Sequence, residues 1–228
     1  MLRGIPFIVD RLEKVRADRA KSVDANTRRW AAMPALFQAD RQPDDAYLLV
    51  PKVSSERRRY VPLGFCDPHL IVNPSVLVVP HATLFDFGIL QSSMHMAWMR
   101  AVCGRLESRY QYSNTIVYNN FPWPSLASPF PPEEGNKLRE AIKHAAQAVL
   151  DARGQSPGST LADIYDPLTT PPALLKAHDA LDKAVDAAYG YRGAKDDAAR
   201  VTFLFALYQQ LVGDLTATPR TKRKAIRA

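Results

Sequence analysis

Cysteine is almost missing from this chain. Cys66 and Cys103 are the only two in 228 residues, and they form no C-x-x-C pair. A disulfide framework and a thiolate zinc site are therefore without support, and the expected home is a reducing cytoplasm. His95 has no second ligand at metal spacing, so no metal is expected. No apolar run approaches the roughly 20 residues needed to span a bilayer, so no membrane partner is expected. The opening MLRGIPFIVDRLEK turns charged too soon for a signal peptide. G-x-S-x-G, H-E-x-x-H and P-loop sequences are absent, which removes the commonest hydrolase, zinc-protease and nucleotide signatures.

A hydrophobic content of 46% with 23% charged residues is ordinary for a globular protein of one or two domains. The net charge of +7 is unevenly spread. Residues 1–125 hold 16 Lys/Arg against 11 Asp/Glu, residues 126–214 hold 9 against 12, and the last 14 residues add five basic side chains. A polyanion partner would dock on the first half, the alternative being a basic surface with no partner.

Ile8, Leu12 and Val15 recur at helical spacing from Pro6 to about Arg19. Trp30, beside Arg28 and Arg29, reads as a core anchor, with stacking on a base as the alternative. Tyr47–Val50 with Lys52-Val53, and Tyr60–Leu63, read as two strands joined by a hairpin tip, Ser54–Arg59. Its hydroxyls and arginines suit phosphate oxygens. Leu70–Val72 and Val76–Val79 read as further strands. Thr83 is the expected N-cap of one helix from Leu84 to about Ala101, in which Met94, Met96 and Met99 are packing residues and His95 is structural.

The helix breaks at Gly104. If Arg105–Tyr112 is one extended strand, Leu106, Ser108, Tyr110 and Tyr112 line one side, and Glu107, Arg109 and Gln111 the other. Arg pairs with guanine, Gln with adenine, and Glu accepts from cytosine, so the second set can read base edges. A surface ion pair between Glu107 and Arg109 is the plainer alternative. Ile116–Tyr118 reads as a last buried strand, closed by Phe121-Pro122-Trp123-Pro124.

Three apolar stripes follow: Leu138, Ile142, Ala145 and Val149; Leu174, His178, Leu181, Val185 and Ala188; Val201, Leu204, Tyr208 and Leu211. They predict a three-helix unit with no chemistry of its own. The expected class is α+β. A helical connector (1–45) precedes a mixed recognition domain of short strands around a central apolar helix (46–125). An all-α three-helix domain (133–214) and a disordered basic tail (215–228) complete it.

Two catalytic look-alikes fail. Asn73-Pro74-Ser75-Val76 lacks the second proline and the aromatic ring of the Asn-Pro-Pro-Tyr/Phe motif of amino-methyltransferases. Pro43-Asp44 with Glu56-Arg57-Arg58 puts an arginine where the nuclease pattern needs lysine. No catalytic residue is assigned.

Several segments resemble one family. Ser54–Tyr60, Phe85–Trp98, Gly104-Arg105-Leu106, Tyr118–Pro124, Leu161–Leu168 and Leu181–Val185 are similar to the C-terminal part of MmeI-like type IIL restriction–modification proteins and their methyltransferase relatives. In that family a nuclease and an adenine N6-methyltransferase domain precede a target-recognition domain and a helical C-terminus. The resemblance implies that this chain corresponds to the last two, and that Glu107 and Arg109 help choose a base pair. It also implies a piece of a longer protein, a truncated gene product or one subunit of a split enzyme, with S-adenosylmethionine held elsewhere.

The expected function is thus a DNA target-recognition module without its catalytic domain, with no cofactor in this chain. Glu107, Arg109 and Gln111 would read bases; Lys52, Ser55, Arg57, Arg58, Arg59 and Arg105 would hold phosphates of double-stranded DNA. The alternative is a structural module docking on a separate methyltransferase core.

Overall fold

The computed structural model describes residues 4–37, 42–126 and 130–217. The chain divides into two compact units, Met1–Pro43 and Asp44–Ala228. In the first, α1 (Pro6–Ala20) starts on a proline, whose missing N–H costs nothing in a first turn. α2 (Ala25–Arg29) is capped by Asp24, which accepts from the Thr27 amide at 2.7 Å. No residue of α1 is buried. Polar bonds hold this unit: the Arg19 guanidinium donates to the carbonyls of Trp30, Met33 and Leu36.

The second unit is α+β. Two three-stranded antiparallel sheets, ordered β3-β1-β4 and β2-β6-β5, lie ahead of a helical region in sequence. β1 (Tyr47–Pro51) pairs with β3 (Gly64–Cys66) and β4 (Val76–Val79). At Lys52 the chain leaves that sheet for the second one, where β2 (Val53–Ser54) joins β6 (Arg109–Gln111) and β5 (Gly104–Leu106). The expected single strand over 47–53 is therefore two.

Tyr60–Leu63 is not a strand, although Tyr60, Val61 and Leu63 are buried. The fully buried Gln91 takes a neighbouring strand's place, donating to the Val61 carbonyl at 3.0 Å and accepting from the Leu63 amide at 3.3 Å. Gln91 and Ser92 also break the expected long helix into α3 (Leu84–Leu90) and α4 (Ser93–Val102). Thr83 does cap α3, in a reciprocal box with Asp86. Leu70 and Ile71 are exposed and lie outside the strands, the Leu70 carbonyl accepting from the Tyr47 hydroxyl instead, and Asn114–Tyr118 is a π-helical turn that buries only Val117.

Residues on both sides of 125–133 share one core. α5 (Pro132–Gly154) and α7 (Pro172–Ala188) carry their expected stripes, while of the stripe on α8 (Asp197–Ala217) Leu204 is buried and Leu211 is exposed; the short α6 (Leu161–Ile164) lies between α5 and α7 in sequence. α3 meets α5 so closely at Gly88 that a Cβ there would lie 2.7 Å from Ile142 Cγ2. The expected tail begins within α8, and its residues 218–228 lie outside the described ones.

Asp182, on α7, ties these halves together. Its carboxylate accepts from the Tyr60 hydroxyl (2.7 Å), the Ser93 amide (2.7 Å) and the Ser93 hydroxyl, so a residue of one helix caps another. Tyr60 stacks on His178 with centroids 3.9 Å apart. His178 Nε2 meets the Tyr165 hydroxyl, which itself accepts two bonds from Arg153. The hydroxyl proton thus goes to Nε2, and burial, helped by Arg153 and Arg59, pushes His178 down to about 3. Burial does the same to His95, which is bonded to Tyr112.

Candidate nucleic-acid interface

Gly104–Gln111 is a tight hairpin rather than one strand. Leu106 pairs with Arg109, Arg105 with Tyr110 and Gly104 with Gln111, leaving Glu107 and Ser108 as the two-residue turn. Glu107 takes φ +58°, the left-handed region in which a side chain costs about 1–2 kcal/mol and where such turns usually place glycine. No Gly, Asn or Asp marks this turn, which is why the sequence reads as a continuous strand.

The hairpin changes which residues share a face. Leu106, Arg109 and Gln111 lie on one side with Gly104 and Val53; Arg105, Tyr110 and Ser54 lie on the other. Leu106 therefore sits with the polar pair, not opposite it. Tyr110 and Ser54 are buried, whereas Arg109 and Gln111 are exposed. At the tip, Arg109 Nη2 lies 2.7 Å from Glu107 Oε2, with 46% and 77% of the two side chains exposed. The surface ion pair anticipated as the plainer alternative is present, and it is open to solvent. Such a pair is worth under about 1 kcal/mol and is easily exchanged for other partners. Gly104 lets the Gln111 side chain lie across it: a Cβ there would stand 3.3 Å from Oε1.

The six residues expected to hold phosphates are not alike. β2 ends at Ser54 opposite Tyr110, so the turn through Ser55 to Arg57 departs beside Arg109. Arg57 is exposed, and among the described residues its guanidinium has no hydrogen bond or ion pair. Ser55 Oγ accepts from the Arg57 amide, and Lys52 Nζ donates to the Pro74 carbonyl at 2.6 Å. Arg58 turns toward an open cavity of about 590 Å³ that Ser156, Ser159 and Thr169 also line, with its Nε buried and unpaired. Arg59 is bound at 2.9 Å by Asp179, and its carbonyl is held by Arg100, a contact without a sequence signal. Arg105 lies with Cζ 4.1 Å from the Tyr110 ring centroid, and Nη1 donates to the Ser108 carbonyl at 3.1 Å. The three consecutive arginines thus point to three different places: Arg57 to solvent, Arg58 to the cavity and Arg59 to Asp179.

The methyl donor implied by the resemblance does not fit the residues present. Asn73 accepts from the Ser75 amide at 2.9 Å and from its hydroxyl, closing a local turn instead of offering its carboxamide to a base. Among the described residues the strand pairs are all antiparallel, without the parallel strand and glycine turn that hold such a cofactor. Among the described residues, no group of three or more His, Cys, Asp or Glu could hold a metal ion, and no helix is long and apolar enough to cross a membrane.

Comparison with known proteins accords with this architecture. DNA methyltransferase A of Bacillus subtilis (strain 168) is 36% identical over 210 residues, covering 92% of this chain and 23% of that protein. The solved structure of the type IIL restriction–modification enzyme MmeI in complex with DNA superposes with a TM-score of 0.83 at 45% identity, covering 92% of this chain and 27% of that one. The chain therefore spans about a quarter of the length of each. Residues 1–125 match the family model of the MmeI target recognition domain, and residues 135–216 that of the MmeI C-terminal domain. With its exposed hairpin set on a helical support, this chain belongs to the MmeI family, as a target recognition domain joined to a C-terminal domain.

Proposed function

We propose that this chain reads a specific sequence in double-stranded DNA on behalf of an adenine N6-methyltransferase of the type IIL restriction–modification class. The observation that carries the reading is the solvent-facing hairpin, which places Arg109 and Gln111 on one exposed face and Glu107 at its tip. Guanine, adenine and cytosine edges respectively complement those side chains in the major groove. Arg57, with Lys52, Ser55 and Arg58 nearby in sequence, supplies sequence-independent contacts to phosphates. Arg59 serves mainly to tie its loop to α7. Methyl transfer, and the S-adenosylmethionine it requires, belong to a methyltransferase core outside this chain, in a bacterial cytoplasm.

Selection of tight binders from a randomised duplex pool tests this reading. The expected result is a defined motif, with Arg109→Ala losing about 1–3 kcal/mol of discrimination at one base pair. Equal losses on selected and scrambled duplexes would remove the base-reading role.

A second reading, docking on a separate methyltransferase core, draws on the exposed Phe7, Leu36 and Phe37 of the first unit. Binding to an isolated core without binding to DNA would favour it.

A further inference from the structure

We propose that Arg105 is a positioning residue: it clamps the strained turn at Glu107-Ser108 so that Glu107 and Arg109 are held in reading geometry. This rests on the base-reading role given above to Glu107 and Arg109. It reverses the simplest reading of an exposed arginine in a DNA-binding surface, which is a phosphate contact.

Three observations carry it. The turn is held in a conformation that a glutamate disfavours, with φ +58° at Glu107. Two short strands of three residues give little stability by themselves, so the tip needs another restraint. Arg105 provides one. Its guanidinium rests 4.1 Å from the centre of the Tyr110 ring, which is buried and therefore fixed to the core. The same group donates at 3.1 Å to the carbonyl of Ser108, the second residue of the turn. One planar cation thus bridges an anchored ring and the free tip.

The cross-strand register supplies the direction. Arg105 pairs with Tyr110, on the face opposite Leu106, Arg109 and Gln111. A duplex lying on the reading face meets Arg109 and Gln111 while Arg105 is turned away and already bonded. Lysine cannot replace it, because an ammonium lacks the flat fork that stacks and donates sideways at the same time.

Three variants of the whole chain, Arg105→Ala, Arg105→Lys and Arg109→Ala, together with the double variant Arg105→Lys/Arg109→Ala, decide the matter. Each is measured on selected and single-base-altered duplexes at several salt concentrations. The expected result is that both Arg105 variants lose discrimination by roughly ten-fold, with the salt slope kept and no added loss in the Arg109→Ala background. If Arg105→Lys matches the parent chain while Arg105→Ala flattens the salt slope by about one phosphate, the residue is a phosphate contact and the proposal falls.

Amide hydrogen exchange in the free chain gives a readout that needs no DNA. Arg105→Lys should speed exchange across residues 106–110 with the exchange of α7 unchanged. Unchanged protection of the tip would overturn the clamp even if Arg109 reads a base. Loss of protection with an inert Arg109 would leave the clamp standing and remove the reader instead.

Discussion

Asp182 and Glu107 are both carboxylates that face an arginine, yet they are held in opposite ways. The Asp182 side chain is 9% exposed, and its partners come from Arg59, Tyr60 and Ser93, far away along the chain. Glu107 is 77% exposed and bonded to Arg109 two residues on, within a turn whose Ser108 carbonyl accepts from Arg105. In the seam the Asp182 carboxylate is spent on keeping two parts of the chain in register. In the hairpin the polar groups are bonded only to each other, so they can be given up to an incoming partner at little cost. Exposure, and the sequence distance of partners, separate scaffold charges from working ones where residue type does not.

Removing Asp182 should have the largest effect. Asp182→Ala leaves the Ser93 amide without an acceptor and the Tyr60 hydroxyl with only its 3.3 Å contact to the Ser93 hydroxyl, which costs about 2–4 kcal/mol and lowers the thermal midpoint by roughly 10 °C. A midpoint shift under 2 °C would show the seam to be ornamental. Acid should come next. His95 and His178 sit near pKa 3 in the fold, below their ordinary value of 6.5. The unfolded chain therefore binds more protons below about pH 6.5, and stability falls as pH drops from there toward 3. Each histidine contributes at most about 1.4 kcal/mol per pH unit in that window. Melts between pH 7 and 4.5 should show it, with the slope reduced by about one proton in His178→Gln.

Substitutions on the reading side should leave stability alone and move binding. Arg57→Ala should weaken selected and scrambled duplexes equally, reducing the salt slope by about 0.9. The smallest effect is expected at Gly104→Ala, which nudges the Gln111 amide aside. A few tenths of a kcal/mol of discrimination at one base pair, with the midpoint unchanged, would fit a side chain guided but not fixed there.

The helical parts of this fold were legible because their signals are local. Thr83 announces α3, Pro172 opens α7, and the stripe through Leu174, Leu181 and Val185 is buried as its spacing implies. The strands were less so. Tyr60–Leu63 has strand chemistry, but its bonds go to the Gln91 side chain, whose part in the fold no spacing reveals. The continuous apolar pattern across Gln91-Ser92 hides the break between α3 and α4 for the same reason. Glu107, Arg109 and Gln111 were picked out by type and alternation, and the structure exposes all three. That they stand on a hairpin was invisible, since the turn lacks the residue its backbone prefers. Among the three adjacent arginines, only tertiary partners such as Asp179 distinguish one from another.

The bonds that Gln91 makes bear on how this module changes over time. The stretch from Ser55 to Arg59 springs from β2 at one foot and lands on the Gln91-held segment at the other. A span pinned so firmly at both abutments can swap the residues at its crown without loosening what it stands on.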